Sequence, residues 1–466
     1  MARRLKIWTA LAPATLGATA AFLLAFASPG LTGSGGGAVV IPLTDFGWPE
    51  APGLGDALSA PLPLPGPAHP AVARGAQLAE THASDDPAGE GLRFLLTAVA
   101  IEGVTVYRPD QLRPLYQDLL GREIALDAVF ALAEAVTARY RNDGYTLSQA
   151  IVPPQTIRAG KVRLTVVEGF IDQVLVEGET RGRAGLFRAW GEKIKASRPF
   201  QVAVLERYSL LANDLPGAQV RAVLRPSEET PGAADLIFEV KHQTVEAAAN
   251  LDNRAPKTTG PLQGLVSVTG NSLLGLYDRT TLTYSRAKTR KRSQFAGIRH
   301  DQVLSSEGTA LSLSLSYSRS EPGDVLKDLD LFSESTALSA EVTHPVIRSR
   351  NANLTLSAGF TYREVDSDAV SARLFRDRLS VVSLGASAAF TDPWNGRAAM
   401  ELKIHKGLDV FDASAKGDRL LTRADGGGAF VKLTGSLSRT QYLGGGLSLY
   451  LAATGQLASR ALLASE

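Results

Sequence analysis

The feature that most constrains this chain is a two-residue alternation that recurs throughout its C-terminal half. Apolar residues alternate with small, mostly polar ones, most clearly in the runs that begin at Leu311, Leu354 and Leu447. Such alternation predicts β-strands with one apolar face. About eleven runs follow Val240, and no helical stripe persists for long among them. The sequence therefore predicts an all-β domain over residues 243–466.

Two features favour an antiparallel transmembrane β-barrel over a soluble β-sandwich, which also alternates and is the commoner cause of this pattern. Many runs reach about ten residues, whereas soluble strands centre near five or six. Connections alternate between short ones, such as Asn271–Gly275, and long polar ones, such as Arg319–Glu334. Outer-membrane barrels have short periplasmic turns and longer outer loops in this way.

The N-terminus predicts export from the cytoplasm. Two arginines and a lysine within the first six residues precede an apolar stretch that ends Ala25-Phe26-Ala27. This arrangement is typical of a cleaved signal peptide, here residues 1–27, although about 20 apolar residues could also form an anchor. Residues 28–91 are rich in proline and glycine and predict an extended linker.

Two small α+β modules are predicted between the linker and the β domain, at residues 92–169 and 170–242, each with the order β-α-α-β-β. The first module's elements are Phe94–Val106, a short helix from Pro109, Asp127–Asn142, Tyr145–Ile151 and Lys161–Val167. The second repeats the order more loosely, with elements Ile171–Val176, Ala184–Ala196, Val202–Leu211, Val220–Leu224 and Ala234–Val240.

Composition argues against several function classes. The chain has no cysteine and only six histidines, so neither thiol chemistry nor a metal site is expected. Its 49 basic and 47 acidic residues leave a charge of +2, which gives no basic excess for nucleic acid. No phosphate-binding loop or paired catalytic residues stand out, so we expect no enzyme activity and no cofactor.

Four motifs in the first module resemble the first POTRA domain of two-partner secretion transporters. This is the haemolysin-activator and filamentous-haemagglutinin-transporter family of the Omp85 superfamily. The motifs are Gly144-Tyr145, Ile151-Val152-Pro153-Pro154-Gln155, Gly160-Lys161-Val162-Arg163-Leu164 and Val166-Val167-Glu168-Gly169. The second module resembles the second POTRA domain more weakly. Later matches to the family's barrel are Asp252-Asn253-Arg254, Gly260, Asn271, Gly275, Asp278, His344-Pro345 and Arg348-Ser349-Arg350.

The resemblance implies an outer-membrane transporter of a Gram-negative bacterium, with tandem POTRA modules in the periplasm and its barrel in contact with lipid. The family barrel has sixteen strands, of which about eleven are recognisable here. The family's lumen-loop motif would come after Glu466, so we expect the sequence to be C-terminally truncated. An open sheet in lipid leaves backbone groups unpaired, which is costly.

The family's task implies a partner site on the first module. An extended segment of an unfolded partner would pair with the edge Tyr145–Ile151 beside the helix Asp127–Asn142. The candidate contact residues on that edge and helix are Tyr145, Leu147, Gln149, Ile151, Val129, Ala133 and Val136. The three helix residues equally suit the module's own core, which is the commoner role at such spacing.

The remaining motif residues have structural interpretations. We expect Gly144, Pro153, Pro154, Gln155 and Gly169 to shape turns rather than contact a partner. Asp252, Asn253 and Arg254 open the barrel motif, and Asp252 and Arg254 either face the lumen or pair with one another.

The predicted function is to recognise an unfolded exoprotein in the periplasm and secrete it through the barrel. The partner would carry an N-terminal secretion domain of the adhesin or haemolysin type. The alternatives are an Omp85-type assembly factor, which usually has more or different modules, and a passive porin, which needs none. Whether residues 28–91 plug the pore stays open.

Overall fold

The computed structural model describes residues 21–25, 93–181, 185–289, 292–370 and 372–466. The predicted linker over 28–91 lies outside the described residues, as does the predicted signal peptide apart from 21–25. The signal peptide and the linker therefore remain predictions.

The first module, residues 93–169, is a three-stranded mixed sheet covered by one long helix. The sheet order is β3-β6-β5, with β6 parallel to β3 and antiparallel to β5. A two-stranded sheet of β2 and β4 lies beside it. The bounds are β2 (Arg93–Leu95), β3 (Ala98–Glu102), α1 (Pro109–Leu112), β4 (Glu123–Ala125), α2 (Leu126–Asn142), β5 (Gln149–Ile151) and β6 (Lys161–Val167).

Three details of this module differ from the prediction. The expected strand Phe94–Val106 is divided into β2 and β3, because Leu96 turns into the core and is 1% exposed. Strand β4 was not predicted, because three residues are too few to show alternation. Strand β5 begins at Gln149 rather than at Tyr145.

The second module, residues 170–242, repeats this arrangement with the sheet order β7-β9-β8. Its core contains Phe187, Trp190 and Phe238, which are fully buried. All five predicted elements are present, most of them slightly longer than predicted. Their bounds are β7 (Phe170–Gly178), α3 (Gly185–Ala196), α4 (Val202–Asn213), β8 (Ala218–Pro226) and β9 (Ala233–His242).

Eleven consecutive strands, each antiparallel to the next, form one sheet over residues 245–458, as predicted. A short strand, β1 (Ala21–Ala25), pairs with the last of them. The eleven bounds are β10 (Val245–Asp252), β11 (Gln263–Asn271), β12 (Asp278–Ala287), β13 (Gln294–Val303), β14 (Ala310–Ser320), β15 (Phe332–Arg348), β16 (Ala352–Ala369), β17 (Ala372–Thr391), β18 (Gly396–Leu408), β19 (Val431–Gly444) and β20 (Leu447–Ala458).

The two faces of this sheet differ in chemistry, as the alternation predicted. One face carries exposed apolar side chains in register across strands, for example Leu282, Ile298 and Leu315. The other carries hydrogen-bonded polar pairs, such as Ser339 with Thr361 at 3.1 Å. A barrel that meets lipid outside and water inside needs this arrangement.

Aromatic residues border the apolar face at two levels. Phe360 pairs in register with Val382, and Phe390 lies eight residues farther along the same strand. Eight residues span about 27 Å along a strand, or about 20 Å across a membrane at a typical tilt. Trp394, in the turn after β17, is 75% exposed. Such aromatic girdles mark the two membrane interfaces of outer-membrane barrels.

The sheet is open between β10 and β20, which do not pair with each other among the described strands. Residues 459–466 fold back onto the polar face, where Leu462 and Leu463 pack with Leu379 and Phe430. Lys432 forms an ion pair with Glu466, and the two side chains are 7% and 10% exposed.

None of the described helices is both long enough and apolar enough to cross a membrane.

We expect Leu338→Arg to impair insertion of the sheet into membranes, and Ser339→Arg to be tolerated. Leu338 is 50% exposed on the apolar face, and a charge there costs about 2–4 kcal/mol near the bilayer centre. Ser339 lies on the polar face of the same strand. Urea titration of the chain folded into lipid vesicles measures the difference. Equal effects of the two substitutions would contradict the assignment of the faces.

Candidate functional site

The predicted partner-binding edge of the first module is shorter than expected. Only Gln149, Ala150 and Ile151 form β5, which pairs with β6 alone and is an edge strand. Tyr145 instead packs in the module core, with its ring 6.0 Å from that of Tyr140. Leu147 packs against the core of the second module. Neither Tyr145 nor Leu147 therefore belongs to the edge, because a tight turn separates them from the strand.

The helix residues proposed as an apolar wall belong to the core instead. Val129, Ala133 and Val136 are 2%, 5% and 0% exposed and form one cluster with the sheet. The α2 residue that contacts the backbone of β5 is Thr137. Its hydroxyl accepts the Ala150 N–H at 2.9 Å and donates to the Ala133 carbonyl at 2.9 Å. The N–H of β5 that points away from β6 is thus already satisfied.

The glycine motifs join the two modules, a role beyond the turn shaping that we predicted. Gly144 has a φ of +92°, and its carbonyl accepts the Val202 N–H of α4 at 2.9 Å. The Gly169 carbonyl accepts the Phe200 N–H at 2.8 Å. A Cβ on Gly169 would lie 2.4 Å from the Leu147 carbonyl oxygen, so no larger residue fits without movement.

The Pro-Pro-Gln motif covers the side of β6 beyond the end of β5. Pro153 and Pro154 follow β5 directly and cannot continue its ladder. The Gln155 side chain then accepts the Arg163 N–H and donates to the Arg163 carbonyl, both at 2.8 Å. An amide side chain thus takes the place of a paired strand.

A half-buried carboxylate, that of Glu168, joins a loop and a helix of the first module. Glu168 accepts hydrogen bonds from the Thr105 N–H at 2.8 Å, the Val106 N–H at 3.2 Å, the Tyr140 hydroxyl at 2.7 Å and the Thr105 hydroxyl. Burial raises the pKa of Glu168, but these hydrogen bonds outweigh it and hold the pKa below its ordinary value. Burial and the bond to Glu168 raise the pKa of Tyr140.

The second module is joined to the sheet through three turns at the same end of the strands, and the first turn inserts an aromatic ring. Tyr277, just before β12, is 1% exposed and packs into the second module's core, with its ring 6.1 Å from that of Phe187. Asn271 and Asp278 shape this turn. Asn271 donates to the Gln243 carbonyl at 3.0 Å, and Asp278 accepts the Leu274 N–H at 3.0 Å.

The second turn, between β13 and β14, contributes a carboxylate. Glu307 pairs with Lys193 of α3 and with Arg207 of α4, the latter at 3.2 Å. Burial raises the pKa of Glu307, but the two cations outweigh it and lower the pKa overall. The Trp190 indole N–H donates to the Ser306 carbonyl at 2.6 Å. These contacts tie both helices of the module to one turn.

The motif Arg348-Ser349-Arg350 spans the last residue of β15 and the start of the third turn, between β15 and β16. Arg348 makes a bidentate pair with Asp214, with N–O distances of 2.7 and 2.8 Å. The Arg350 N–H donates to Glu206 of α4 at 2.9 Å. This family motif therefore fastens the module to the sheet.

The motif at the start of the sheet lies at the opposite end of β10 from the modules. Arg254 pairs with Asp252 at 2.8 Å, so the two side chains bind one another, which was one of the two alternatives. Asn253 is exposed beside them. Among the described residues, no group of acidic or histidine side chains could hold a metal ion.

Sequence reasoning missed Tyr277, Glu307 and Glu168 as organising residues. Glu168 stood within a quoted motif, but its position beside Gly169 could not reveal three donors from the loop at Thr105 and Val106 and one from Tyr140 of α2. A tyrosine that follows Gly275 in a short turn was a usable signal for Tyr277, since turns exposed to water seldom carry large aromatic rings.

Together these features define an outer-membrane β-barrel protein with two periplasmic modules fastened to one end of its strands. Residues 94–169 match the POTRA domain of the ShlB type, and residues 232–466 match the haemolysin secretion/activation protein family ShlB/FhaC/HecB. The chain belongs to this family of two-partner secretion transporters, within the Omp85 superfamily.

Individual relatives are distant in sequence. The heme/hemopexin transporter protein HuxB of Haemophilus influenzae is 23% identical over 81% of this chain and 67% of its own length. The outer membrane transporter CdiB of Dickeya dadantii is 24% identical over 82% and 68%. The match to the solved structure of CdiB from Escherichia coli covers 83% of this chain and 72% of the CdiB chain, with a TM-score of 0.62 and 18% identity. The chain spans about half to two thirds of the curated relatives' length.

We expect Glu168→Gln to destabilise the first module by about 1–3 kcal/mol, because an amide cannot accept every bond that the carboxylate accepts. The pKa of Glu168 lies below its ordinary 4.5, so its stabilisation is full above that pH and is lost as the pH falls through the folded-state pKa. Thermal unfolding of the fragment 93–242 between pH 3 and 7 measures this. A variant that keeps the wild-type pH dependence would exclude the role.

We expect Tyr277→Ala to loosen the second module from the sheet at a cost of about 3–5 kcal/mol, since it empties a fully packed position. Tyr450→Ala is the matched control, because Tyr450 is 46% exposed on β20. Limited proteolysis between residues 242 and 310 reports the loosening. Equal cleavage of both variants would argue against an anchoring role.

Proposed function

We propose that this chain binds an unfolded exported protein on its periplasmic modules and passes it through the β-barrel, as in two-partner secretion. The joint between the second module and the strand ends carries this proposal. Tyr277, Glu307 and Arg348 hold the module at the end of the strands where the chain enters the sheet. A segment bound on the modules therefore lies close to the mouth of the barrel.

The proposed partner is an exoprotein with an N-terminal secretion domain, of the adhesin or haemolysin type. The modules offer extended backbone edges to such a partner, and strand addition uses main-chain hydrogen bonds that any sequence can make. HuxB is named for heme and hemopexin, whereas the name of CdiB states no cargo. The cargo class of this chain is thus a separate question from its transport role.

An Omp85-type assembly factor and a passive porin are the alternative functions. The family match supports secretion over either of them. The Arg348–Asp214 pair and Tyr277 attach the second module to the sheet, and a passive porin does not require such a module.

A binding measurement tests this function. We expect the fragment 93–242 to bind the N-terminal fragment of the exported protein encoded beside this chain's gene, and not an unrelated unfolded outer-membrane protein. Circular dichroism and a cooperative thermal transition verify that the fragment is folded. A folded fragment that fails to bind would contradict secretion. A fragment that binds only the unrelated outer-membrane protein would favour the assembly factor.

A further inference from the structure

The second module has an edge strand that is long and only partly covered. Strand β8 spans nine residues, Ala218–Pro226, and pairs with β9 alone. Its register with β9 is uninterrupted, so alternate residues turn their N–H and C=O groups away from β9 along the whole strand.

Asn213, the last residue of α4, shows which residues of β8 turn their backbone N–H and C=O groups away from β9. Its side chain accepts the Val220 N–H at 2.8 Å and donates to the Val220 carbonyl at 2.8 Å. The backbone N–H and C=O groups of Val220 therefore point away from β9. By alternation, so do the backbone groups of Ala222, Leu224 and Pro226. A side-chain amide has taken up both backbone groups of the first outward position, as a paired strand would.

Pro226 ends the same edge in a different way. It pairs in register with Ala234 and has no N–H to offer on the outward side. Proline is found in sheets where the missing N–H would have faced away from the ladder, which agrees with the assignment from Asn213. Within the described chain, no hydrogen bond reaches the outward N–H and C=O groups of Ala222 and Leu224.

We propose that this window, Ala222 to Leu224, receives an extended segment of the exported partner, and that Asn213 and Pro226 set the register of the added strand. The proposal rests on the proposed function and adds a location and a register to it. Outside the window an added strand loses partners, because Asn213 competes for Val220 and Pro226 has no donor.

The two edges that compete most directly are less suited to strand addition. Strand β5 has three residues, and Thr137 occupies the outward N–H of Ala150. Strand β7 is irregular between Ile171 and Val174, and irregular edges are a common protection against strand addition. The window on β8 therefore lies on the longest regular edge in the two modules.

The direction of β8 connects the window to the barrel. Ala218, at its start, pairs with His242, which is separated from β10 by two residues, while Pro226 lies at the far end. A segment added antiparallel to β8 runs from the Pro226 end toward Ala218. It thus leads toward the strand ends that the second module contacts.

The window also defines the chemistry of the bound segment. Ala222 packs against the module core, and Leu224 on the same face is 36% exposed, so apolar side chains suit that face of an added strand. Arg221 and Arg225 lie on the opposite face, across from Glu239 and Asp235 of β9, and neither forms an ion pair within the described residues. Acidic side chains on that face of the segment would lie beside these two cations.

Two substitutions in the full chain test the window. Leu224→Pro removes an outward N–H without breaking the β8–β9 ladder, so binding weakens on the order of tenfold. Its control, Leu224→Ala, keeps the N–H. Pro226→Ala adds a donor and tightens binding about twofold. The probe is the urea-unfolded N-terminal fragment of the neighbouring exported protein, diluted onto the chain in detergent.

Disulfide mapping tests the register, since the chain has no cysteine of its own. With Arg221→Cys in the chain, single cysteines along the probe form disulfides at one preferred position. Adding Asn213→Ala frees Val220, so the preferred position spreads to its neighbours two residues away. A pattern unchanged by Asn213→Ala overturns the register role.

The outcomes separate the two proposals. If wild type binds the probe and Leu224→Pro and Pro226→Ala both bind as wild type does, the window is wrong and the transport function stands. If wild type does not bind, both fail. Should Leu224→Pro lose its fold, Pro226→Ala decides, because tighter binding supports the window and unchanged binding overturns it.

Discussion

The need to pair backbone N–H and C=O groups accounts for the main features of this structure. In lipid no water is available to unpaired groups, so the residues from 245 to 458 form one uninterrupted antiparallel series of strands. In the periplasm water can serve, and strand edges are permitted. Even there, the side chains of Thr137, Gln155 and Asn213 take up backbone groups of β5, β6 and β8 that no strand pairs with. The outward backbone groups of Ala222 and Leu224 on β8 have no such partner among the described residues.

A second organising principle is that the second module does not complete its own core. Tyr277 comes from a turn of the sheet yet is part of the module's aromatic cluster. The ion pairs at Glu307 and Arg348 surround this contact and set its orientation. Since burial of a ring stabilises more than partly exposed ion pairs do, the ring anchors the module and the charges orient it. The ring and the ion pairs together hold the second module in one position on the sheet.

Much of the architecture could be predicted from local patterns. Alternation revealed the eleven strands, and the sequence also predicted α2 and both helices of the second module. Strand β4 and the true start of β5 escaped prediction, because both depend on turns three or four residues long. The proposed contacts Val129, Ala133 and Val136 proved to be core, since a buried stripe and a groove wall have the same spacing.

The sequence alone determined the class of each segment, because period two and period 3.6 reflect which faces meet water, lipid or a core. Family motifs added the order of the domains. Only the tertiary structure decided which residues join them, as for Tyr277 in the second module or Glu168 and its distant donors. It also decided that the outward backbone groups of Ala222 and Leu224 on β8 form no hydrogen bond within the described chain. Such contacts connect residues far apart in the chain, and their positions depend on how complete modules pack rather than on any local pattern.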